Sequence, residues 1–261
     1  MAVLSAVVLA GGKGSRMGGE RPKVLYPAAG RTLLEWVLPA LSDAGVTDTV
    51  CVVGFQKEAV IAQLPTGVRW VGQEPQLGTG HAVWCARDAF QGPARTGPLV
   101  VACGDMPLVR AETYRRLVGR QRETGAAAVI LTTPVPPDSH FGRIVRDAGG
   151  GVRRIVEWKD ADAQERAITE GNAGVYCFGG ALFWDALTLE NLGNATAQGE
   201  YYLTDVVPLL LARGGRVDAI SVTDPAEALG VNTPEDLARA GVELARRSGE
   251  AESSGIPHPP L

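Results

Sequence analysis

Hydrophobic residues in the first half of the chain fall in short dense runs separated by amphipathic stretches. Residues 3–10 are apolar and rich in Val and Leu, as a strand buried on both faces should be. Residues 32–44 carry apolar side chains at helical spacing and end at Gly45, a C-cap candidate, with Pro39 expected to kink the helix. The alternation continues as strand 47–54, helix 57–64, strand 67–73, a helix near 80–90, strand 97–105, helix 111–124 and strand 126–135. This order predicts an α/β fold: a Rossmann-like mixed, mainly parallel sheet with helices on both faces. The second half is less regular. Residues 142–147 and 152–158 read as an antiparallel pair joined by the turn "AGGG", and 172–178 as a further strand. Helical patterns at 180–191 and 202–213, a strand at 216–222 and a helix at 234–247 follow, and the polar tail 248–261 is expected to be disordered.

Composition narrows the classes. Of 261 residues, 45% are hydrophobic and 21% charged, which is ordinary for a globular protein. No apolar run is long enough to span a membrane, and the N-terminus lacks the positive region of a signal peptide. The four cysteines, Cys51, Cys85, Cys103 and Cys177, stand singly in apolar surroundings and read as reduced core thiols of a cytoplasmic protein. A net charge of -4 argues against broad nucleic-acid binding.

Against that acidic background, residues 9–23 ("LAGGKGSRMGGERPK") contain four basic residues, one acidic residue and five glycines, a local charge of +3. Glycines after a buried strand let the backbone approach a ligand and form an anion cradle. Arg and Lys then supply charge that matches phosphate. The spacing is neither the dinucleotide fingerprint nor a P-loop. A solvated flexible loop is the bland alternative. Asp105, after the apolar run "PLVVAC", falls at the carboxyl edge of a predicted strand, where open α/β sheets bind ligands. A hard oxygen ligand there suits Mg²⁺, although an ordinary turn before Pro107 would also explain it. Asn232, in "NTPED", reads by itself as a helix cap, a role that Thr233 could equally fill.

The opening loop resembles the L-A-G-G-x-G-x-R-M…P-K signature of the sugar-nucleotidyltransferases. Seven further stretches follow in order: "QLGTGHAV", "GDMPLV", "FGRIVRD", "IVEWKDA", "EGNAGVY", "EYYLTDVV" and "GVNTPEDL". Over residues 3–245 the chain is similar to the uridyltransferase half of the bacterial bifunctional N-acetylglucosamine-1-phosphate uridyltransferase/glucosamine-1-phosphate acetyltransferases. The resemblance implies a nucleotidyltransferase domain at 1–247, with a nucleotide-binding half (1–135) and a sugar-binding half (136–247). No hexapeptide pattern of the β-helix acetyltransferase half is seen, so a stand-alone transferase without the β-helix trimer interface is expected.

The same resemblance implies roles. Arg16 would hold the β- and γ-phosphates of UTP, and Lys23 the α-phosphate and the sugar phosphate. The backbone of Leu9, Ala10, Gly11 and Gly12 would line the uracil and ribose pocket. Gln73 would pair with uracil, and Gly78 and Thr79 would contact base and ribose, Thr79 also reading as a helix N-cap. Gly142, Glu157, Asn172 and Tyr202 would face the sugar, with Asp205 near them. Asp105 and Asn232 would hold Mg²⁺. The expected reaction is uridylyl transfer to N-acetylglucosamine 1-phosphate, with small-molecule partners only. Three positions depart from the pattern: Cys103 where Tyr is common, Ala173 where Thr is common, and Trp158 in place of a polar residue. They cluster at the sugar side, so another sugar 1-phosphate or nucleotide stays open, as does a silent sugar-nucleotide sensor. A molybdopterin cytidylyltransferase shares the opening motif but not the Gly142, Glu157, Asn172 series. His81, His140 and His258 are not expected to catalyse, and Lys13 and Arg21 remain unassigned.

Overall fold

A computed structural model of the chain describes residues 3–193 and 199–253. In chain order its elements begin with β1 (Ser5–Ala10), the two-residue strands β2 (Pro27–Ala28) and β3 (Arg31–Thr32), α1 (Leu33–Asp43), β4 (Asp48–Val53), α2 (Lys57–Ile61) and β5 (Arg69–Gly72). Next come α3 (Gly78–Cys85), α4 (Pro93–Thr96), β6 (Pro98–Cys103), α5 (Ala111–Thr124), β7 (Ala128–Pro134), β8 (Arg143–Arg146) and β9 (Val152–Val156). The chain continues through α6 (Ala163–Arg166), β10 (Glu170–Gly179), α7 (Gly180–Ala186), α8 (Val206–Ala212), β11 (Val217–Ser221) and α9 (Pro234–Ser253).

The main sheet has nine strands in the order β11-β7-β10-β6-β1-β4-β5, with the β8–β9 hairpin attached to β10. Strands β6, β1, β4 and β5 run parallel, as do β11 and β7, whereas β10 lies antiparallel between β6 and β7. The sheet is therefore mixed and mainly parallel, as expected. Strand β10 inserts the second half of the chain between two strands of the first, so both halves share one sheet. Strand β1 is buried on both faces. Ala6, Val8 and Ala10 pack with Leu34, Leu41 and Tyr114, while Val7 joins Val83, Phe90 and Phe183 on the other side. The chain leaves β1 for β4 on one flank and returns to β6 on the other. The crevice of an open α/β sheet opens at such a switch point, beyond the carboxyl ends of the strands. A third apolar cluster joins Ala240 and Leu244 of α9 to Met17, Leu33, Leu108 and Val231, so the C-terminal helix props the glycine-rich loop.

Several expected helices are shorter. Helix α2 stops at Ile61, ahead of Pro65, which disfavours helical backbone before it. Helix α3 ends at Cys85 and gives way to a 3₁₀ turn, Arg87–Ala89. Helix α7 ends at Ala186, where Leu187 turns into the core. The stretch expected as one helix at 202–213 opens with a 3₁₀ turn, Leu203–Asp205, before α8. Helix α9 instead runs past 247 to Ser253, into the stretch expected to be disordered, and ion pairs from Glu243 to Arg246 and Arg247 support its last turns. The remaining tail, 254–261 with His258, lies outside the described residues. No helix among the described residues is long and apolar enough to cross a membrane.

Candidate active site

The glycine-rich loop leaves β1 and folds over the carboxyl edge of the sheet. Gly14, Gly18 and Gly19 take positive φ, and a 3₁₀ turn at Ser15–Met17 lies between them. The backbone N–H of Lys23 donates to Gly12 O at 3.0 Å, closing the loop. The chain then presents Arg16 and Lys23 to one point. Lys23 Nζ donates to Asp105 Oδ2 at 2.7 Å and to Asn232 Oδ1 at 2.8 Å. Arg16 Nη2 donates to the same Asn232 oxygen at 3.2 Å.

Asp105 follows β6, and its carbonyl accepts the Val231 N–H at 2.9 Å, which fixes the two loops against each other. Thr233 and Asp236 form the reciprocal cap of α9, Asp236 N–H to Thr233 Oγ1 at 3.2 Å and Thr233 N–H to Asp236 Oδ2 at 3.1 Å. That leaves the Asn232 side chain free of capping. Its amide nitrogen donates to Gly230 O, and its oxygen faces the two cations.

Two concavities meet here. A cavity of about 320 Å³ is lined by Leu9, Gly11, Gly12, Gln73, Gly78 and Thr79. A groove of about 860 Å³ is lined by Arg16, Asn232, Ala173, Phe141 and the chain from Thr133 to Pro136. Cys103 and Asp105 border both. Six of the seven residues expected to bind nucleoside thus line one cavity. The exception is Ala10, whose side chain is fully buried in the core, because strand alternation turns it under the sheet. Leu9 O is already taken by the Gly104 N–H at 2.9 Å.

The cavity wall is zippered to the second half. Gly80 N–H donates to Tyr201 O at 2.8 Å, and Tyr201 N–H to Leu77 O at 2.8 Å. Thr79 is not a helix N-cap. Leu77 occupies that position, and Thr79 Oγ1 accepts the Leu203 N–H at 3.0 Å. At Gly78, φ is +91°, and a Cβ would stand 2.6 Å from Tyr201 O. Only glycine fits there.

Gly142, Glu157 and Asn172, expected to face the sugar, form a connected set that lines neither the cavity nor the groove. Asn172 N–H donates to Gly142 O at 2.8 Å. Gly142 abuts Glu157, whose Oε2 would lie 3.4 Å from a Cβ there. Glu157 Oε1 accepts from Thr204 Oγ1 at 3.1 Å, and Asn172 Nδ2 donates to Tyr176 Oη at 2.7 Å. Burial pushes the Glu157 carboxyl above the ordinary carboxylate range, and the charges of Asp205 and Asp160 add to this while the Thr204 hydrogen bond opposes it. Burial, then Asp160, likewise raises Asp205. Tyr202 stands apart from this set, with Lys159 Nζ 5.0 Å from its ring centroid. Asn172 pairs with Thr132 of β7, and a register shift follows it in β10, between Asn172 and Tyr176; bulges of this kind are common beside functional sites.

A family model for the MobA-like NTP transferase domain matches residues 6–201. The chain belongs to this family. It is 44% identical to the bifunctional protein GlmU of Geobacter metallireducens over 243 residues, covering 92% of this chain and 50% of that protein. It is 43% identical to GlmU of Oceanobacillus iheyensis over 250 residues, 96% of this chain and 54% of that one. The chain therefore spans about half the length of the curated relatives it matches. A solved structure described as a glucose-1-phosphate thymidylyltransferase of Bacillus anthracis, in complex with sucrose, superposes with a TM-score of 0.72 at 21% identity. It covers 94% of this chain and 96% of that one and shows the same fold. The chain is thus a nucleotidyltransferase built on a nucleotide-sugar transferase fold.

Several site residues escaped the sequence reading. Gln76 donates to Gly11 O and closes the cavity floor; the paired glutamines of "QEPQ" were the available signal. Tyr176 and Thr204 complete the set around Asn172 and Glu157; they lie in the stretches "EGNAGVY" and "EYYLTDVV", but were not singled out there. Arg143 is fully buried. It donates to the carbonyls of Phe141 at 2.5 Å, Ser139 at 2.8 Å and Pro137 at 3.1 Å, and so clamps the loop that walls the groove. Lys13 and Arg21 rest over the rings of Phe55 and Tyr26, at 5.4 and 5.5 Å from the centroids.

Proposed function

We propose that the chain transfers a uridylyl group from UTP to N-acetylglucosamine 1-phosphate, giving UDP-N-acetylglucosamine and pyrophosphate, with Mg²⁺ as cofactor. The observation that carries this reading is the convergence of Arg16, Lys23, Asp105 and Asn232 on one point between a nucleoside-sized cavity and a larger groove. Two anionic substrates must meet there, and the chemistry asks mainly for alignment and charge neutralisation.

The donor set fits a hard cation. Asp105 Oδ2 and Asn232 Oδ1 both lie within 2.8 Å of the Lys23 ammonium, so the two oxygens already converge on one positive centre. Oxygen-only ligation by one or two protein groups is what Mg²⁺ commonly uses, the rest coming from water and phosphate. The bound ion would neutralise phosphate charge. With Asp105 and Asn232 so engaged, Lys23 turns its N–H groups to the α-phosphate, and Arg16 forks onto the β- and γ-phosphates. A phosphate oxygen of the sugar 1-phosphate attacks the α-phosphorus, and the bond to pyrophosphate breaks. No general base is required, since a phosphate monoester is largely deprotonated at neutral pH. Gly142, Glu157 and Asn172 supply the convergent polar groups that a neutral sugar needs.

One observation favours a second reading, the same chemistry on another sugar 1-phosphate. The small residues Cys103 and Ala173 border the 860 Å³ groove beside Asn172. Pyrophosphate release with Mg²⁺, each of four nucleoside triphosphates and a panel of sugar 1-phosphates separates the two. Release with UTP and N-acetylglucosamine 1-phosphate above all other pairs is expected; no release with any pair overturns the enzyme reading.

A further inference from the structure

Gln73 and His81 are buried polar residues, 5% and 6% exposed; Gln73 lines the smaller cavity, and His81 contacts it there. Gln73 Nε2 lies 2.9 Å from Gly78 O and 3.1 Å from His81 Nδ1. A backbone carbonyl only accepts, so the amide nitrogen, and not its oxygen, must face Gly78. This orients the whole amide without reference to the histidine. The second amide hydrogen then meets His81 Nδ1, which must offer a lone pair. The proton of the neutral ring therefore sits on Nε2, 3.7 Å from Cys85 Sγ, within reach of a weak N–H···S contact. Burial lowers His81 below its ordinary value, which holds the ring in this neutral form.

Both hydrogens of the Gln73 amide are thus used inside the protein. What remains for a ligand is Oε1, which lies beside Gly11, 3.6 Å from where a Cβ on that residue would stand. Gln73 and Gly11 both line the cavity. The side chain faces a bound base as an acceptor alone.

We propose that His81 is a specificity-determining positioning residue: its Nδ1 lone pair locks Gln73 as a pure acceptor, so the cavity takes a pyrimidine with a hydrogen on N3 and refuses one with a lone pair there. Uracil and thymine belong to the first class and cytosine to the second. The inference rests on the cavity being the nucleoside site. Without the His81 acceptor, the second amide hydrogen loses its partner and the Gly78 carbonyl alone holds the amide. Oε1 is then held less firmly where an N3 hydrogen needs it.

The test compares kcat/KM for UTP and CTP in wild type, His81→Leu and His81→Asn. His81→Leu keeps an apolar side chain of similar bulk without the acceptor. It should lower the UTP-over-CTP ratio about tenfold or more, mainly through the KM for UTP, with the KM for the sugar 1-phosphate unchanged. His81→Asn places an amide oxygen near the Nδ1 position and should recover most of the ratio. An unchanged ratio in His81→Leu, or an Asn variant as poor as the Leu variant, overturns the proposal. Nitrogen-15 NMR of the wild-type ring gives an answer that survives misfolding of either variant. The Nε2–H tautomer is expected, and an Nδ1–H tautomer refutes the lock. UMP and CMP binding by calorimetry separates the two levels. A wild-type protein that binds neither removes the nucleoside-site reading and the lock with it. One that prefers UMP, with a Leu variant that prefers it equally, removes the lock alone.

Discussion

At the scale of single residues, the centre of the site is a charge balance. Lys23 and Asp105 form a partly buried ion pair, their side chains 18% and 20% exposed, and the Asn232 oxygen shares the ammonium. A cation placed where charge develops on a phosphoryl group is worth about 10²–10³ in turnover. Lys23→Ala should lower kcat for pyrophosphate release by about that factor, and an unchanged kcat would remove Lys23 from the chemistry. Glu157 makes a second prediction. Its folded-state carboxyl sits above the usual range, so on acidification it takes up a proton earlier than an ordinary glutamate. In the role proposed for it, Glu157 accepts from sugar hydroxyls in its ionised form, which is present above that raised value and is lost as the pH falls through it. The KM for the sugar 1-phosphate should therefore climb on the acid side by more than the substrate phosphate's own titration near about pH 6 produces, whereas Glu157→Gln should keep only the part due to the substrate. An identical acid limb in the variant would mean that another group titrates.

At the scale of elements, the site depends on loops that touch across the sheet edge. The N-terminal end of α3 and the segment before α8 are joined by three hydrogen bonds, Gly80 to Tyr201, Tyr201 to Leu77 and Leu203 to Thr79. Gly78→Ala would add a Cβ at 2.6 Å from Tyr201 O, in a backbone conformation with φ of +91°. Strain of this kind costs about 1–3 kcal/mol. It should lower the melting temperature and raise the KM for UTP, because the segment it displaces carries Glu200 to the cavity wall. Unaltered UTP binding would show that the zipper does not shape the nucleoside site. Element boundaries were the least legible part of the chain. Helix α7 stops at Leu187 because that side chain finds a place in the core, which no local pattern announces. The Thr79 hydroxyl looked like a cap because capping is the local use of threonine, but a partner 124 residues away claims it.

At the scale of the whole molecule, the two halves have no separate sheets. Strand β10 lies between β6 and β7, so Asn172 on β10 and Asp105, just past the end of β6, belong to one framework. Ligand binding should then stabilise the protein as one unit. Saturating UTP, at about 100 times its Kd, adds about 2.7 kcal/mol and should raise a single melting transition by several degrees, more with Mg²⁺ than without. Two transitions of which only one moves would show that the halves melt separately.

The sequence by itself determined the α/β class, the run of strands and helices, the glycine-rich basic loop and the chemical character of most site residues. These follow from local terms: hydrophobic period, glycine placement and charge. Only the tertiary structure decided which residues meet. It placed Lys23 between Asp105 and Asn232, turned the Ala10 side chain into the core, gave Thr79 to Leu203 and brought Tyr176, Thr204 and Arg143 into the site. It also set His81 against Gln73, eight residues apart, turning a helix residue without an evident role into the partner that orients an amide. The reason is that hydrogen-bond partnership is a matter of distance and direction in space. Sequence spacing carries that information only within a helix turn or a strand.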